Sequence, residues 1–569
     1  MVKQQTNNTI KSNNHLYPPI YPDIEDWPIH KQLRNRTSFI LHLEKYVFDK
    51  LTARTPTEKY DILAKTVFQE RIRIKEEPWK VDPPNDSLFW SKVRSALLEV
   101  GNNKESESSI EIIEEQFKLI INRYAEEIVG TFKVPTVLFA RKFLRFFFNK
   151  LLNSGLWFRK LRSFGTKEYK IENRIKVIGE AEQIRSLMTK GTVVMLPTHF
   201  SNIDSLFVGY SMDAILGLPS FSYGAGLNLF NSGFAAYYMN RLGAYRVDRR
   251  KKNPIYLETL KGTSKLSIEQ GVNNLFFPGG TRSRSGALET RLKMGLLGSA
   301  LEAQRDLLIK GSKEKIYVFP VVLGYPFVLE AKFMIEQHLS KEGRERYIKT
   351  KDQSYSFRSI CKFIWNFLSK SSDLNLTIGK PLDVLGNFID ENGNSLDDRG
   401  NTIDIKQYFT SNNLVKADSQ RDAEYTKILA DKVVQRYKAE NYVLSSQLVA
   451  FAGFQILKIE NPGLDLYGIL RLHPEDYSFS TEKMHLVLDQ LKRKLNKLEN
   501  ENKIRLSEEI KWDNEDLLKH GIQKMGSYHP KQPLMIDKDY QLIVSEDFKL
   551  LFYYHNRLSG YGLEIGLKL

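Results

Sequence analysis

From about residue 177 to residue 325 the chain alternates short apolar runs with longer stretches of helical periodicity, and glycines close the helices. The apolar runs are 192–196, a short one near Phe221, one following Gly243, 272–277 and 317–325. Between them the spacing predicts helices over 177–190, closed by Gly191, near 233–240, over 255–270, closed by Gly271, and over 294–309, closed by Gly311. Strands separated by helices return as parallel neighbours, so the pattern predicts an α/β fold with a mixed, largely parallel sheet flanked by helices. In such sheets ligands bind where the strands end, which directs attention to the residues that follow each apolar run.

The run 192–196 leads into Leu196-Pro-Thr-His-Phe-Ser-Asn-Ile-Asp-Ser205, where His199 and Asp204 stand five positions apart at a strand-to-helix turn. A neutral imidazole there accepts a proton from an alcohol, and a carboxylate about one helical turn on holds its other nitrogen and stabilises the resulting cation. The run 272–277 leads into Pro278-Gly-Gly-Thr-Arg-Ser-Arg-Ser-Gly286. Glycines that bare backbone N–H groups, hydroxyls and two arginines are what phosphate binding requires. Between them Gly243-Ala-Tyr-Arg-Val-Asp-Arg-Arg250 again ends a strand in arginines, and the run through Pro320 follows.

These four segments, in this order, resemble the ordered motifs of the glycerolipid acyltransferases with a His-x4-Asp signature, and most resemble the long glycerol-3-phosphate acyltransferase branch. The resemblance implies His199 as general base and Asp204 as the group that orients it. It implies Arg249, Gly280, Thr281, Arg282, Ser283 and Arg284 at the phosphate of the acceptor, with Lys293 as a basic residue that follows the third motif and Pro320 on a strand lining the acyl region. The donor it implies is acyl-CoA or acyl-carrier protein as co-substrate, with no resident cofactor and no metal. One position departs from the family: a glutamate is usual between Pro278 and Gly280, and here the residue is Gly279. The departure leaves the acceptor open among glycerol-3-phosphate, lysophosphatidate and dihydroxyacetone phosphate. It also motivates a second reading, a non-catalytic membrane-associated scaffold on the same core. Against that stands the presence of His199, Asp204, Arg249, Arg282 and Ser283 together.

A net charge of +16 over 569 residues favours an anionic partner: nucleic acid, an anionic lipid surface or phosphorylated small molecules. Zinc-finger cysteine pairs and short RNA-binding signatures are absent and the lysines are scattered, which argues against nucleic acid. Cys361 is the single cysteine, so an internal disulfide is impossible and a reducing compartment is expected. No uninterrupted apolar run reaches transmembrane length and residues 1–14 lack an apolar signal core, so any membrane contact is expected to be peripheral, on the cytoplasmic face.

Three regions are expected: an N-terminal arm and helical region over 1–130, a catalytic domain over 131–345 with a leading amphipathic helix, and a mainly helical region over 346–569 with one more strand at 374–378. The leading segment, 132–161, sets Phe139, Phe143, Phe146, Phe147, Leu151 and Leu152 near helical spacing among arginines and lysines. Such a face suits either an anionic membrane surface or packing on the core. The acidic stretch 390–398 fails as a calcium loop, because Gly393 at the sixth position would make Phe388 the first ligand; a turn-rich surface loop is expected. The apolar stretch 442–457 is too short to span a bilayer and predicts a buried helix, and Leu488, Leu491, Leu495 and Leu498 predict a packing helix. His555, set among aromatic residues, reads as a packed histidine without a catalytic role.

Overall fold

The computed structural model describes residues 17–100, 104–144, 175–227, 237–342, 374–473, 475, 477–526, 529–537 and 542–569. Seven strands form the central sheet: β1 Ile175–Gly179, β2 Gly191–Pro197, β3 Ser222–Gly226, β4 Ala244–Val247, β5 Asn274–Leu275, β6 Lys315–Gly324 and β7 Leu374–Ile378. Their order is β1-β7-β6-β2-β5-β3-β4. Strand β2 runs parallel to β5 and β6, β3 parallel to β4 and β5, and β1 parallel to β7, while β6 meets β7 antiparallel. The sheet is thus mixed and largely parallel, with helices on its faces. Val193, Val194, Met195 and Leu196 of β2 are all fully buried, as befits a strand covered on both sides.

The helix expected over 177–190 begins later than its periodicity suggests. Residues 175–179 pair with β7, and the chain turns at Gly179, whose φ is 86°. A Cβ there would lie 2.1 Å from the carbonyl oxygen of Ile378, so only glycine permits the turn, and the helix runs Ala181–Met188. The strand expected over 272–277 is paired only at Asn274–Leu275. Of the helix expected near 233–240, residues 233–236 lie outside the described residues. The helices Pro254–Glu269 and Met294–Ile309 form as expected, and Asn253 caps the first by accepting from the N–H of Tyr256 at 2.8 Å.

Before the sheet, the helices Arg36–Thr52, Pro56–Glu76, Asp86–Glu99 and Glu107–Ile128 build a second apolar core with the helix Pro254–Glu269, through Leu43, Val47, Phe117, Ile121 and Tyr256. A helix over 134–144 follows, with Leu138 and Phe139 exposed. Phe146, Phe147, Leu151 and Leu152 lie outside the described residues.

After the sheet, the helices Ser419–Ala439, Ser445–Glu460, Thr481–Asn500, Asn514–Gly526 and Phe548–His555 share one continuous core with β2 and β6. The helix Ser445–Glu460 is buried from Ser445 to Leu457, and Thr481–Asn500 buries Leu488, Leu491 and Leu495. The region holds more strand than expected. The acidic stretch is a three-strand ladder, Phe388–Ile389, Ser395–Leu396 and Thr402–Ile403, built on a sevenfold spacing of turns. In each turn an aspartate holds the N–H of an asparagine four residues on: Asp383 and Asn387 at 2.9 Å, Asp390 and Asn394 at 2.7 Å, Asp397 and Asn401 at 2.8 Å. Among the described residues no helix is long and apolar enough to cross a membrane.

Candidate functional site

Leaving β2, the chain is fixed against β6 at Thr198: its N–H donates to the Val321 carbonyl at 2.9 Å and its hydroxyl oxygen accepts from the N–H of Leu323 at 3.0 Å. His199 follows, and Asp204 opens the helix Asp204–Tyr210. The fully buried carboxylate of Asp204 gathers four donors. Its Oδ2 accepts from the N–H groups of Phe200 at 2.7 Å and Ser201 at 3.0 Å and from Nδ1 of His199 at 2.7 Å, while its Oδ1 accepts from the Tyr325 hydroxyl at 2.5 Å. An ionised carboxylate only accepts, so these bonds assign the ring proton to Nδ1 and leave Nε2 of His199 with a free lone pair. Phe277, just beyond β5, stacks on the imidazole with ring centres 4.3 Å apart.

The main chain of His199 is gripped by the loop that follows β5. Its carbonyl accepts from the N–H of Ser283 at 2.7 Å, and its own N–H donates to Oε1 of Glu289 at 2.9 Å. Burial pushes the Glu289 carboxyl up to about 7, against the opposing pull of the His199 N–H. In the next turn the Ser201 hydroxyl and the Asn202 N–H donate to Glu330 at 3.0 and 2.9 Å. Burial likewise raises Glu330, opposed by the Asn202 N–H and Arg282.

His199 lines a cavity of about 240 Å³ together with the polar Thr281, Arg249, Arg282 and Arg284 and the apolar Met239, Phe277, Phe333 and Met334. The protein atoms packed around Arg249, and then the cations of Arg282 and Arg284, lower its pKa. Arg282 comes within 3.5 Å of Glu330, and its Nη1 is a buried donor with no hydrogen-bond partner. Arg250, next to Arg249, turns the other way and bonds to Asp248 at 2.7 Å and Asp82 at 2.5 Å, tying the second motif to the N-terminal helices.

Of the residues singled out in the sequence, His199, Arg249, Thr281, Arg282 and Arg284 line the cavity, with Asp204 buried behind the imidazole. Four others do not line the cavity. Gly280 makes the left-handed turn of the loop, φ 75°, under the stem of Lys293, whose Cε would lie 2.6 Å from a Cβ at position 280. The Ser283 hydroxyl donates to the Ala287 carbonyl at 2.6 Å, so it shapes the loop. Pro320 is buried within β6 opposite Leu196. Among the described residues no group of three or more His, Cys, Asp or Glu is arranged to hold a metal ion.

The acyltransferase family model matches residues 174–324, the stretch from β1 to the end of β6. Relatives include the glycerol-3-phosphate acyltransferase of Pseudomonas aeruginosa (strain UCBPP-PA14), 27% identical over 247 residues, which is 43% of this chain and 26% of that protein. The glycerol-3-phosphate acyltransferases of Alteromonas mediterranea and Shewanella woodyi are 25% and 26% identical over 290 and 301 residues, 50% and 52% of this chain and 31% and 33% of theirs. Residues 174–324 are an acyltransferase domain. The chain spans about a quarter to a third of the length of these relatives in the matched region.

The acyltransferase domain is braced by residues far beyond it. Arg557, fully enclosed, donates to the Leu323 carbonyl at 2.9 Å and to Asn441 at 2.8 Å and lies over the Phe200 ring at 4.4 Å. Asn556 donates to the Ser285 carbonyl at 2.9 Å, and the Tyr437 hydroxyl to the Leu196 carbonyl at 2.8 Å. His555 packs between Phe451 and Phe454 and shares a hydrogen bond with Gln455 at 2.8 Å. Sequence reasoning missed Tyr325, Glu289, Glu330 and Arg557. Tyr325 ends the run that contains Pro320, and its place at a strand end was a usable signal; nothing in the spacing of the other three pointed to His199.

Proposed function

We propose that this protein transfers a fatty acyl chain from an acyl thioester to the hydroxyl of glycerol-3-phosphate, as the names of its relatives suggest. The observation that carries this reading is one cavity in which the free Nε2 edge of a His199 imidazole oriented by Asp204 meets three guanidinium groups. Arg249, Arg282 and Arg284, which line the cavity, hold the acceptor phosphate. Nε2 takes the proton as the acceptor oxygen attacks the thioester carbonyl carbon. The tetrahedral intermediate then collapses, the C–S bond breaks, and the leaving thiolate takes the proton back from the imidazolium. Asp204 keeps the imidazole in the required tautomer and stabilises its cation. The donor is acyl-CoA or acyl-carrier protein, and no resident cofactor enters the scheme.

The site of action is an anionic membrane surface, met peripherally on its cytoplasmic face. Support comes from the net charge of +16 and the exposed Leu138 and Phe139 of the helix over 134–144. The test is a panel of acceptors, phosphorylated and not, incubated with the purified protein and labelled acyl donor. Acylation of glycerol-3-phosphate is expected. Acylation of lysophosphatidate or dihydroxyacetone phosphate instead would reassign the acceptor, and no transfer to any of them would leave the scaffold reading in its place.

A further inference from the structure

The loop after β5 brings a glycine and a carboxylate into one small space behind His199. An ideal Cβ on Gly279 would lie 3.0 Å from Cγ and 3.3 Å from Oε1 of Glu289, so the Glu289 side chain fills the volume that a side chain at position 279 would take. From there Oε1 accepts the N–H of His199 at 2.9 Å, whereas Oε2 is buried and has no partner. Glu289 lies outside the cavity lining. It therefore touches the backbone of the proposed base and not the space for substrate.

We propose that Glu289 is a positioning residue for His199, its carboxylate fixing the His199 main chain from the space left open by Gly279. The catalytic role rests on the proposed acyl transfer; the structural role does not. Phe200 and Ser201, whose N–H groups bind Asp204, directly follow His199, so the Glu289 bond fixes the near end of the same turn. Without it the peptide joining Thr198 to His199 loses the bond to its N–H, the Ser283 bond alone holds the His199 main chain from this loop, and the imidazole's aim at the acceptor hydroxyl loosens. A displacement on the order of 1 Å in such a site costs roughly a hundredfold in rate.

Glu289→Ala is expected to lower kcat by about ten- to a hundredfold with the acceptor KM little changed, because no cavity residue is altered. Glu289→Gln retains an oxygen that accepts the His199 N–H and should keep most of the activity. Gly279→Glu alone should unfold at lower temperature, since its Cβ would press on Cγ of Glu289 and a second carboxylate would enter the same space. In the Glu289→Ala background the same change should be tolerated and should restore part of kcat. Independently of activity, hydrogen exchange of the His199 amide should accelerate in Glu289→Ala and stay slow in Glu289→Gln. Equal loss of kcat in the Ala and Gln variants, or an unchanged exchange rate in Glu289→Ala, would overturn the proposal, as would a double variant no more stable than Gly279→Glu. If the parent protein transfers no acyl group, the proposed reaction fails, and the exchange rates alone then decide the role of Glu289.

Discussion

The hydroxyl of Tyr325 donates to Oδ1 of Asp204 at 2.5 Å, and His199 takes the other oxygen. Asp204 is thereby held between the end of β6 and the turn that carries the imidazole. Tyr325→Phe leaves a buried carboxylate oxygen without its donor, a loss worth about 1.5–3 kcal/mol when the acceptor is charged. If about half of that reaches the transition state, kcat falls roughly four- to thirteenfold. Asp204→Asn, which upsets the tautomer, should cost more, and His199→Ala should abolish transfer while circular dichroism stays unchanged. Full activity in His199→Ala would sink the assignment.

Neighbouring arginines of the second motif should separate cleanly by variant. Arg249 faces the cavity, so Arg249→Ala is expected to raise the KM for a phosphorylated acceptor by about ten- to a hundredfold with little change in Tm. Arg250→Ala leaves the buried Asp248 without its cation, while Asp82 keeps Arg73 and the Trp79 N–H, and removing one partner of a buried ion pair costs about 3–5 kcal/mol. Its signature should be a lower Tm, read by calorimetry. The reverse pattern would mean that the two side chains have exchanged roles.

The pH dependence of stability should carry two opposed contributions. Burial raises Glu289 to about 7, so between roughly pH 4.5 and 7 the folded state holds a proton that the unfolded chain has released, and stability falls as pH rises. Arg557 and the His199 ring, facing it, both oppose the shift. Glu289→Gln removes this slope, so its Tm relative to the parent should become more favourable from pH 5 to pH 8. Burial lowers His555 to about 4, so its contribution is complete above about pH 6.5 and is lost as pH falls towards 4. His555→Gln should flatten the acid side of the curve, and Tm differences that do not vary with pH would contradict both assignments.

Membrane association should depend on the helix over 134–144. Leu138 and Phe139 are 44% and 47% exposed, and replacing both with glutamine should reduce co-sedimentation with anionic vesicles severalfold while leaving the protein folded. Arg141, by contrast, is committed to Asp213 at 2.7 Å, so Arg141→Gln should act on stability first. Undiminished vesicle binding by the double variant would assign membrane contact to another surface.

The sheet was legible because its parallel strands are buried on both faces and read as unbroken apolar runs, and because glycines at 271 and 311 stop the helices where positive φ is required. Periodicity misplaced the start of the helix after Gly179, since the apolar residues of a short buried strand and of a helix that follows it merge into one pattern. The turns of 390–398 were legible in its Asp, Asn and Gly content, but the seven-residue repeat that sets turns at Asp383, Asp390 and Asp397, with short paired strands between them, was not read from the sequence. At the site, the histidine, the aspartate and the arginines share short segments and could be read locally. Glu289 and Glu330 act on residues 90 and 128 positions away, and only tertiary structure brings such pairs together.

The bond from Asn556 to the Ser285 carbonyl joins residues 271 positions apart. A ribosome adding ~5–20 residues per second needs about 14–54 s to cover that interval. Throughout it the catalytic loop exists on a nascent chain without the aromatic and arginine brace that later closes against it, and apolar sheet surface stands open to water. Competence is thus a late event in the life of each molecule, and ribosome stalling after the arginines but before Asn556 should yield chains that hold the histidine and the arginines but call on chaperones in place of a lipid surface.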